Sequence, residues 1–118
     1  MEVHNKTRNR SLGTSVRTAS GVVARMRGLL GTESLPEGEG LWIRPCRGIH
    51  SIGMKYAFDA LFIDPAMKVA GAYRRFPRNR ISKLFPSAGG VLELPAGTIA
   101  RTGTRVGDEI VFREKKPR

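Results

Sequence analysis

The chain has 118 residues, of which 40% are hydrophobic and 26% charged, and its formal net charge is +11. This length and composition are typical of one ordinary globular domain and exclude extensive disorder, and the single cysteine excludes an intramolecular disulfide framework. The longest apolar run is too short to span a membrane, and the first 25 residues lack the apolar centre of a signal peptide. We therefore expect one cytoplasmic domain over residues 1–118, without a transmembrane segment or a cofactor.

The first forty residues are predicted to form a hairpin, a helix and a loop. Val3 to Arg8 and Gly13 to Arg17 are short stretches containing Thr and Val, separated by turn-forming residues, which predicts two paired strands. Apolar residues then recur at helical spacing and predict one amphipathic helix that packs on a sheet and ends at Gly31. Its apolar face consists of Val22, Val23, Met26, Leu29 and Leu30. Arg25 falls off this face and is expected to point toward water, and residues 32–40 are expected to form a polar loop.

The middle of the chain is predicted to contain three strands. Leu41 to Ile43 is a strand that Pro45 either ends or places at the edge of a sheet. Ala60 to Ile63 is an uninterrupted apolar run, which predicts a buried strand ended by a turn at Asp64-Pro65. Lys68 to Phe76 is expected to be its hairpin partner.

The last third of the chain completes the predicted fold. Pro77 to Gly90 is expected to be a long loop, and Val91 to Leu94 and Glu109 to Arg113 are expected to be strands. A single helical turn is predicted over Thr98 to Arg101, and residues 114–118 are expected to be a frayed tail. Short strands at even spacing with one helix predict a mainly β fold, a small antiparallel sandwich or barrel with the amphipathic helix packed on it; the alternative is an α+β fold.

The positive charge is concentrated in two segments. Residues 1–27 carry a net charge of +5, and residues 71–88 carry another +5 without a single acid. The basic residues of the second segment are Arg74, Arg75, Arg78, Arg80 and Lys83. A basic loop over 74–83 would attract an anionic small molecule or an acidic protein, and a nonspecific nucleic-acid interface is the alternative. No nucleic-acid motif spacing is present, so a solvated basic surface without a partner is the simplest interpretation.

A thiol, an imidazole and a carboxylate follow one another in the midsection, at Cys46, His50 and Asp59. This order raises the hypothesis of a cysteine nucleophile, but four extended residues from Cys46 to His50 span about 13 Å. Only a bend at Gly48 would bring the two side chains into contact. A metal held by Cys46 and His50 with Asp59 or Glu93 is a second hypothesis, but its spacing matches no established zinc pattern, and we expect no metal.

Each of these residues also has a structural explanation. Cys46 is explained as a small half-buried thiol, and His50 as a histidine bonded to the backbone of a bent segment. Asp59 stands beside an apolar strand, where a carboxylate often accepts backbone N–H groups. Glu93 is either the outward residue of an alternating strand or the partner of an arginine, and Asp108 after a glycine is a turn residue.

Seven short stretches follow one another along the chain in a characteristic order and spacing. They are Arg27-Gly28-Leu29-Leu30-Gly31, Gly40-Leu41-Trp42-Ile43, Cys46 to His50, Gly53-Met54-Lys55, Asp59-Ala60-Leu61-Phe62-Ile63-Asp64, Val91-Leu92-Glu93-Leu94-Pro95-Ala96-Gly97 and Val106-Gly107-Asp108. In order and spacing they resemble the family named domain of unknown function 192, small bacterial and archaeal proteins, over about residues 3–112. The resemblance implies a compact, mainly β domain with one packed helix and no established reaction.

The resemblance also implies candidate site positions, namely His50, Met54, Asp59, Glu93 and Asp108, with Cys46 shared by only a subset of the family. The family pattern commonly has a proline before the aspartate, where Tyr56-Ala57-Phe58 stands here, so the entry to the following strand differs. Some members carry secretion signals, but this location does not transfer to the present chain.

These observations favour a small binding or accessory module without catalytic activity. Its cleft is expected to combine residues 46–59, the turn at 91–97 and the basic loop 74–83, and to take an anionic ligand or an acidic partner. The predicted binding residues are His50, Met54, Asp59, Glu93, Arg74, Arg75 and Arg78. The first alternative is a small hydrolase or transferase that uses Cys46, His50 and Asp59, and the second is a nonspecific nucleic-acid binder.

Overall fold

The computed structural model describes residues 1–21, 24–25 and 28–114, and strands dominate this part of the chain. The strands are β1 (Glu2–Asn5), β2 (Arg10–Gly13), β3 (Ser15–Ala19), β4 (Glu39–Ile43), β5 (Phe58–Ile63), β6 (Val69–Phe76), β7 (Gly90–Pro95) and β8 (Ile110–Arg113), and the short helix α1 is Thr98–Thr102. The predicted mainly β fold is confirmed. No helix within the described ranges is long and apolar enough to cross a membrane.

The strands form two sheets that do not close into a barrel. One sheet has three antiparallel strands in the order β2-β1-β8, and the other has five strands in the order β3-β4-β7-β5-β6. All pairs in the larger sheet are antiparallel except β3 and β4, which run parallel. Of the two predicted arrangements, the sandwich is therefore confirmed rather than the closed barrel, and the pairing is antiparallel apart from the β3–β4 pair.

The first hairpin pairs different residues from those expected. β1 pairs with β2, so its partner is Arg10–Gly13, whereas the chain from Ser15 onward joins the other sheet beside β4. The switch between sheets occurs at Thr14 and Ser15, whose backbone N–H groups both donate to the carbonyl of Gly38, at 2.8 and 2.9 Å. This long-range contact redirects the chain, and nothing local in the sequence indicates it.

Strand β4 lies inside the larger sheet, between β3 and β7, and ends at Ile43, so of the two predicted alternatives Pro45 follows the end of the strand and does not mark a sheet edge. Pro45 lies two residues beyond the strand, where its missing N–H removes nothing from the ladder. The strand also begins earlier than expected, because Glu39 and Gly40 belong to it rather than to the preceding loop.

Both faces of the five-stranded sheet are covered. The face toward the three-stranded sheet packs a core that includes Val3, Leu61, Leu92, Ile99 and Ile110. The opposite face packs a second core beneath the loops that connect the strands, and this core includes Leu29, Ile43, Met54, Phe62 and Val91. Because β5 runs through the middle of this arrangement, all six of its residues are buried, which accounts for its continuous apolar run.

The predicted helix near residue 22 is described in part. Ala24 and Arg25 are helical, and the Arg25 N–H donates to the carbonyl of Gly21 at 2.9 Å. Val22, Val23 and Met26 of the predicted apolar face lie outside the described residues. Gly28 has a left-handed φ of +50°, so the helix ends before it and not at Gly31. Four of the five tail residues 114–118 also lie outside the described residues.

The buried carboxylate of Asp108 connects the segment after β1 with the segment before β8. Oδ2 of Asp108 accepts hydrogen bonds from Nδ2 of Asn5 and Nε of Arg8, both at 3.0 Å, and from the Arg105 N–H at 2.9 Å. Burial of this carboxylate opposes its ionisation, but these donors outweigh burial and lower the pKa of Asp108. Asp108 is therefore the turn anchor that its position after Gly107 predicts.

Replacing Asp108 with asparagine is expected to lower the free energy of unfolding at pH 7 by about 2 kcal/mol, because buried donors lose a charged acceptor. The folded-state pKa is depressed, so this contribution is present above the unfolded pKa of about 3.9 and is lost as the pH falls through the folded pKa. Urea denaturation of both proteins at pH 7 and pH 3 measures the difference. A gap that stays constant down to pH 3 would contradict the expectation.

Candidate functional site

A pocket of about 60 Å³ opens on the loop-covered face of the five-stranded sheet. Its floor is formed by β4 and β7, one wall by the segment 46–50, and the opposite wall by residues near Gly28. Polar groups of Arg25, Cys46, His50 and Glu93 line it together with apolar side chains. The midsection and the 91–97 stretch therefore share one concavity, as the sequence predicts.

Strand alternation places Glu93 in this pocket. Along β7, Val91 and Glu93 face the loops, whereas Leu92 and Leu94 face the three-stranded sheet. Glu93 is only 4% exposed, and among the described residues no hydrogen bond or ion pair reaches its carboxyl group. Burial raises the pKa of Glu93 to about 8, so the carboxyl is mostly protonated at neutral pH and can donate a hydrogen bond.

Arg25 supplies a second polar group without a partner. Its terminal nitrogen donates to the carbonyl of Pro45 at 3.0 Å, but its Nε is buried and has no hydrogen-bond partner. Sequence reasoning directed Arg25 toward water, and its place beside the pocket corrects that expectation. An unsatisfied buried donor costs about 1–3 kcal/mol, so a donor of this kind usually faces a bound molecule or a water.

Gly28 lies beside the Glu93 carboxyl in a backbone conformation that favours glycine. A Cβ atom at Gly28 would be in ordinary contact with Oε1 of Glu93, at 3.8 Å, but the φ of +50° disfavours any side chain there. The sequence analysis placed Gly28 in a family motif and gave it no role in the site. The available signal was a glycine near the end of a helical pattern, a position that often marks the end of a helix.

Cys46 is half-buried, and its thiol donates to the carbonyl of Gly48 at 3.0 Å. Burial raises the pKa of the Cys46 thiol above its ordinary value. A nucleophilic cysteine requires the opposite, a lowered pKa beside cations or a base. The environment therefore keeps this sulfur in its thiol form.

Iodoacetamide is expected to alkylate Cys46 at least about tenfold more slowly in the folded protein than in the urea-unfolded chain at pH 7.5, because the thiol is shielded and its pKa is raised. Mass spectrometry follows the rate, and the Cys46→Ser variant gives the blank because the chain has one cysteine. Faster alkylation of the folded protein would show an activated thiol instead.

The structure does not bring Asp59 to Cys46 and His50. Within β5, Phe58 and Ala60 belong to the core beneath the loops, whereas Asp59 alternates to the face that packs on α1. Asp59 is fully buried, and its Oδ1 accepts the Arg75 N–H and its Oδ2 the Ile99 N–H, each at 2.8 Å. It is a backbone anchor, as its position beside an apolar strand predicts.

The remaining predicted site residues divide into buried and peripheral ones. His50 is exposed at the rim of the pocket and forms an isolated β-bridge with Ile81. Met54 is a buried core residue that does not line the pocket, and its carbonyl accepts a hydrogen bond from Nε of Arg78 at 2.8 Å.

Among the described residues, no group of three or more His, Cys, Asp or Glu side chains is arranged to hold a metal ion.

The basic loop does not complete the pocket. Arg74, Arg75 and Arg78 are exposed and absent from its lining, so the structure separates the single predicted cleft into a pocket and a basic surface. The loop is nevertheless tied to the midsection by backbone hydrogen bonds. The Ser51 N–H donates to the carbonyl of Arg80 at 2.8 Å, and several further bonds continue this pairing.

Comparisons with known proteins agree with the fold. The model of the family domain of unknown function 192, described as "Uncharacterized ACR", matches residues 3–112. A solved protein of unknown function from Novosphingobium aromaticivorans superimposes with a TM-score of 0.81 at 17% identity, over 94% of this chain and 82% of that chain. A putative transcription regulator from Sinorhizobium meliloti superimposes with a TM-score of 0.78 at 19% identity, over 93% of this chain and 89% of that chain. No curated protein matches the sequence.

Proposed function

We propose that this chain, which belongs to the domain of unknown function 192 family, is a single-domain binding module whose ligand site is the pocket between β4, β7 and the segment 46–50. The observation that carries this proposal is the buried Glu93 carboxyl, which faces the pocket without a partner among the described residues. A buried polar group of this kind is costly unless something binds it.

The chemistry of the lining favours a compact anionic group. Arg25 brings a positive charge beside the pocket, and a protonated Glu93 supplies a hydrogen-bond donor. A carboxylate group would be attracted by the Arg25 guanidinium and would accept a hydrogen bond from Glu93, whereas a cation would be repelled by the guanidinium. A volume of about 60 Å³ holds only a few non-hydrogen atoms, so the ligand inserts one small group and leaves the rest of its structure near His50 at the rim.

The two alternative functions find less support. A hydrolase or transferase that uses Cys46, His50 and Asp59 would need the Asp59 carboxylate close to the Cys46 thiol. Asp59 instead accepts hydrogen bonds from two backbone N–H groups on the other face of the sheet. A nonspecific nucleic-acid binder is the second alternative, and the Sinorhizobium meliloti protein is described as a putative transcription regulator. At 19% identity its likeness extends to the fold alone, and we do not assign that role to this chain.

Acetate is the probe that tests the proposed site, with acetamide as its uncharged isostere. Amide chemical shifts at Cys46 and Gly48 are expected to move saturably with acetate and much less with acetamide, with a dissociation constant in the millimolar range given so small a ligand. Binding is expected to weaken as the pH rises above about 8, where Glu93 loses its proton.

Two variants and a control make this test specific. Arg25→Gln and Glu93→Leu are expected to weaken acetate binding at least about tenfold, because the first removes the positive charge beside the pocket and the second removes the carboxyl donor. Glu37→Gln changes a glutamate whose side chain is 82% exposed, and it should leave binding unchanged. Shifts that do not saturate, or that persist in both pocket variants, would refute the site.

A further inference from the structure

A second surface feature lies beside the pocket and is not explained by it. Ile52, Ile81 and Leu84 are 53%, 73% and 73% exposed, and they line one shallow groove of about 510 Å³. They are three of the four large hydrophobic side chains that stand exposed in the described part of the chain, the fourth being Val106. We call these three residues the 52/81/84 patch. Exposed apolar side chains that cluster in this way mark an interaction surface more often than scattered ones do.

The groove is held in shape by hydrogen bonds between the two segments that form it. The Ser82 N–H donates to the carbonyl of Ile49 at 2.9 Å, and the Phe85 N–H to the carbonyl of Arg47 at 2.8 Å. Leu84 lies directly over Gly48, where an added Cβ would come within 2.9 Å of its Cδ2. A preformed surface loses little conformational entropy when a partner docks.

The charge around the patch has one sign. The segments 44–58 and 74–92, which contain the patch, have eight Lys and Arg residues and no Asp or Glu. These are Arg44, Arg47, Lys55, Arg74, Arg75, Arg78, Arg80 and Lys83. Of these eight side chains, only that of Lys55 forms an ion pair with another described residue, Glu33. A second copy of this chain is therefore a poor occupant, because two such faces would repel each other.

The shape and chemistry of the patch narrow the class of partner further. Nucleic-acid surfaces of this kind rely on exposed aromatic rings for base stacking, but the exposed side chains of this patch are aliphatic. The three side chains line a shallow groove of about 510 Å³, and a groove of this size fits an inserted aliphatic side chain. We propose that the 52/81/84 patch docks an acidic peptide segment of another protein, which inserts a large aliphatic side chain into the groove and places carboxylates near Arg47 and Lys83.

A labelled peptide of alternating leucine and glutamate tests this proposal on the full chain by fluorescence anisotropy. We expect saturable binding that weakens at least about tenfold when serine replaces the leucines of the peptide, and also in the double variant Ile81→Ser/Leu84→Ser. Arg47→Glu should weaken binding several-fold, and added salt should weaken it further. Val106→Ser removes the exposed hydrophobe outside the patch and should leave binding unchanged.

Two kinds of result would overturn the proposal. Equal binding of the leucine and serine peptides, or unchanged binding by the double variant, would overturn the proposal in favour of plain charge attraction. Vesicles that contain phosphatidylserine, and a single-stranded oligonucleotide, serve as parallel probes. If either binds in a way that the double variant abolishes while the leucine peptide does not bind, the patch serves that partner instead. Unfolding curves of the variants, whose substituted side chains are largely exposed, confirm that each is folded.

Discussion

Replacing Asp59 with asparagine is expected to lower the free energy of unfolding by roughly 3–5 kcal/mol. The carboxylate is fully buried, and each of its oxygens accepts a backbone N–H at 2.8 Å, one from Arg75 and one from Ile99. An asparagine keeps one oxygen but turns an NH₂ group toward the other backbone donor. Urea denaturation monitored by tryptophan fluorescence measures the loss, since Trp42 is the only tryptophan.

The matched control is Asp64→Asn. The Oδ1 of Asp64 also accepts a backbone N–H, from Lys68 at 2.9 Å, but this bond lies at an exposed turn. Water can replace the lost acceptor there, so we expect a cost below about 1 kcal/mol. Similar losses for the two variants would mean that the buried contacts of Asp59 do not contribute as described.

Wild-type stability is expected to fall as the pH rises from about 4.5 to about 8, and Glu93→Gln is expected to remove much of that fall. The folded pKa of Glu93 is raised above its ordinary value, so the folded protein holds a proton that the unfolded chain has already released. Each pH unit in this window therefore costs the folded state about 1.4 kcal/mol, up to roughly 5 kcal/mol in total. Above pH 8 both states have lost the proton and the dependence ends.

The gap between wild type and Glu93→Gln isolates this contribution from every other titrating group. We expect the variant to gain stability relative to wild type as the pH is raised from 4 to 9, as measured by urea denaturation at each pH. Glu37→Gln, which changes an exposed glutamate, should give a curve parallel to that of wild type. Parallel curves for Glu93→Gln as well would show that the carboxyl is solvated or paired in the folded state.

Local features of the sequence predict much of this fold. The uninterrupted apolar run Ala60 to Ile63 predicts a buried strand, and β5 is that strand. The helical turn near Thr98 and the strand at Val91 to Leu94 are confirmed for the same reason, since glycines, prolines and apolar spacing mark their limits. The limits of these elements depend on residues that are close together in the sequence, so the sequence alone predicts them.

Features decided by distant contacts were not predictable in the same way. After Gly13 the chain leaves the first sheet, and the N–H groups of Thr14 and Ser15 donate to the carbonyl of Gly38. No residue near Gly13 indicates that the chain pairs with a segment so far away in the sequence. The face of Asp59 is set by the pairing register of β5, which lies beside β7 with Asp59 opposite Leu94 and turns Asp59 away from the pocket. A one-residue slip of that register would move every side chain of the strand to the other face of the sheet.

The same distinction between sequence-local features and long-range contacts applies to the candidate site. Cys46, His50 and Glu93 were predicted from their chemistry, and the structure brings all three to one pocket. Arg25 was not predicted, because helical spacing alone turns its side chain away from the core. Its guanidinium instead bonds the carbonyl of Pro45, and that contact follows from how two separate segments pack.

The central strand of the small sheet, β1, joins residues from opposite ends of the polypeptide. It pairs with β2 on one side and with β8 on the other, with Glu2 opposite Arg113. The β1–β2 hairpin can form as soon as its residues leave the ribosome, but its second edge stays open until the final strand is synthesised. Completion of this sheet therefore waits for the synthesis of β8, and a nascent chain that stalls before β8 would expose an unpaired edge on which aggregation can begin.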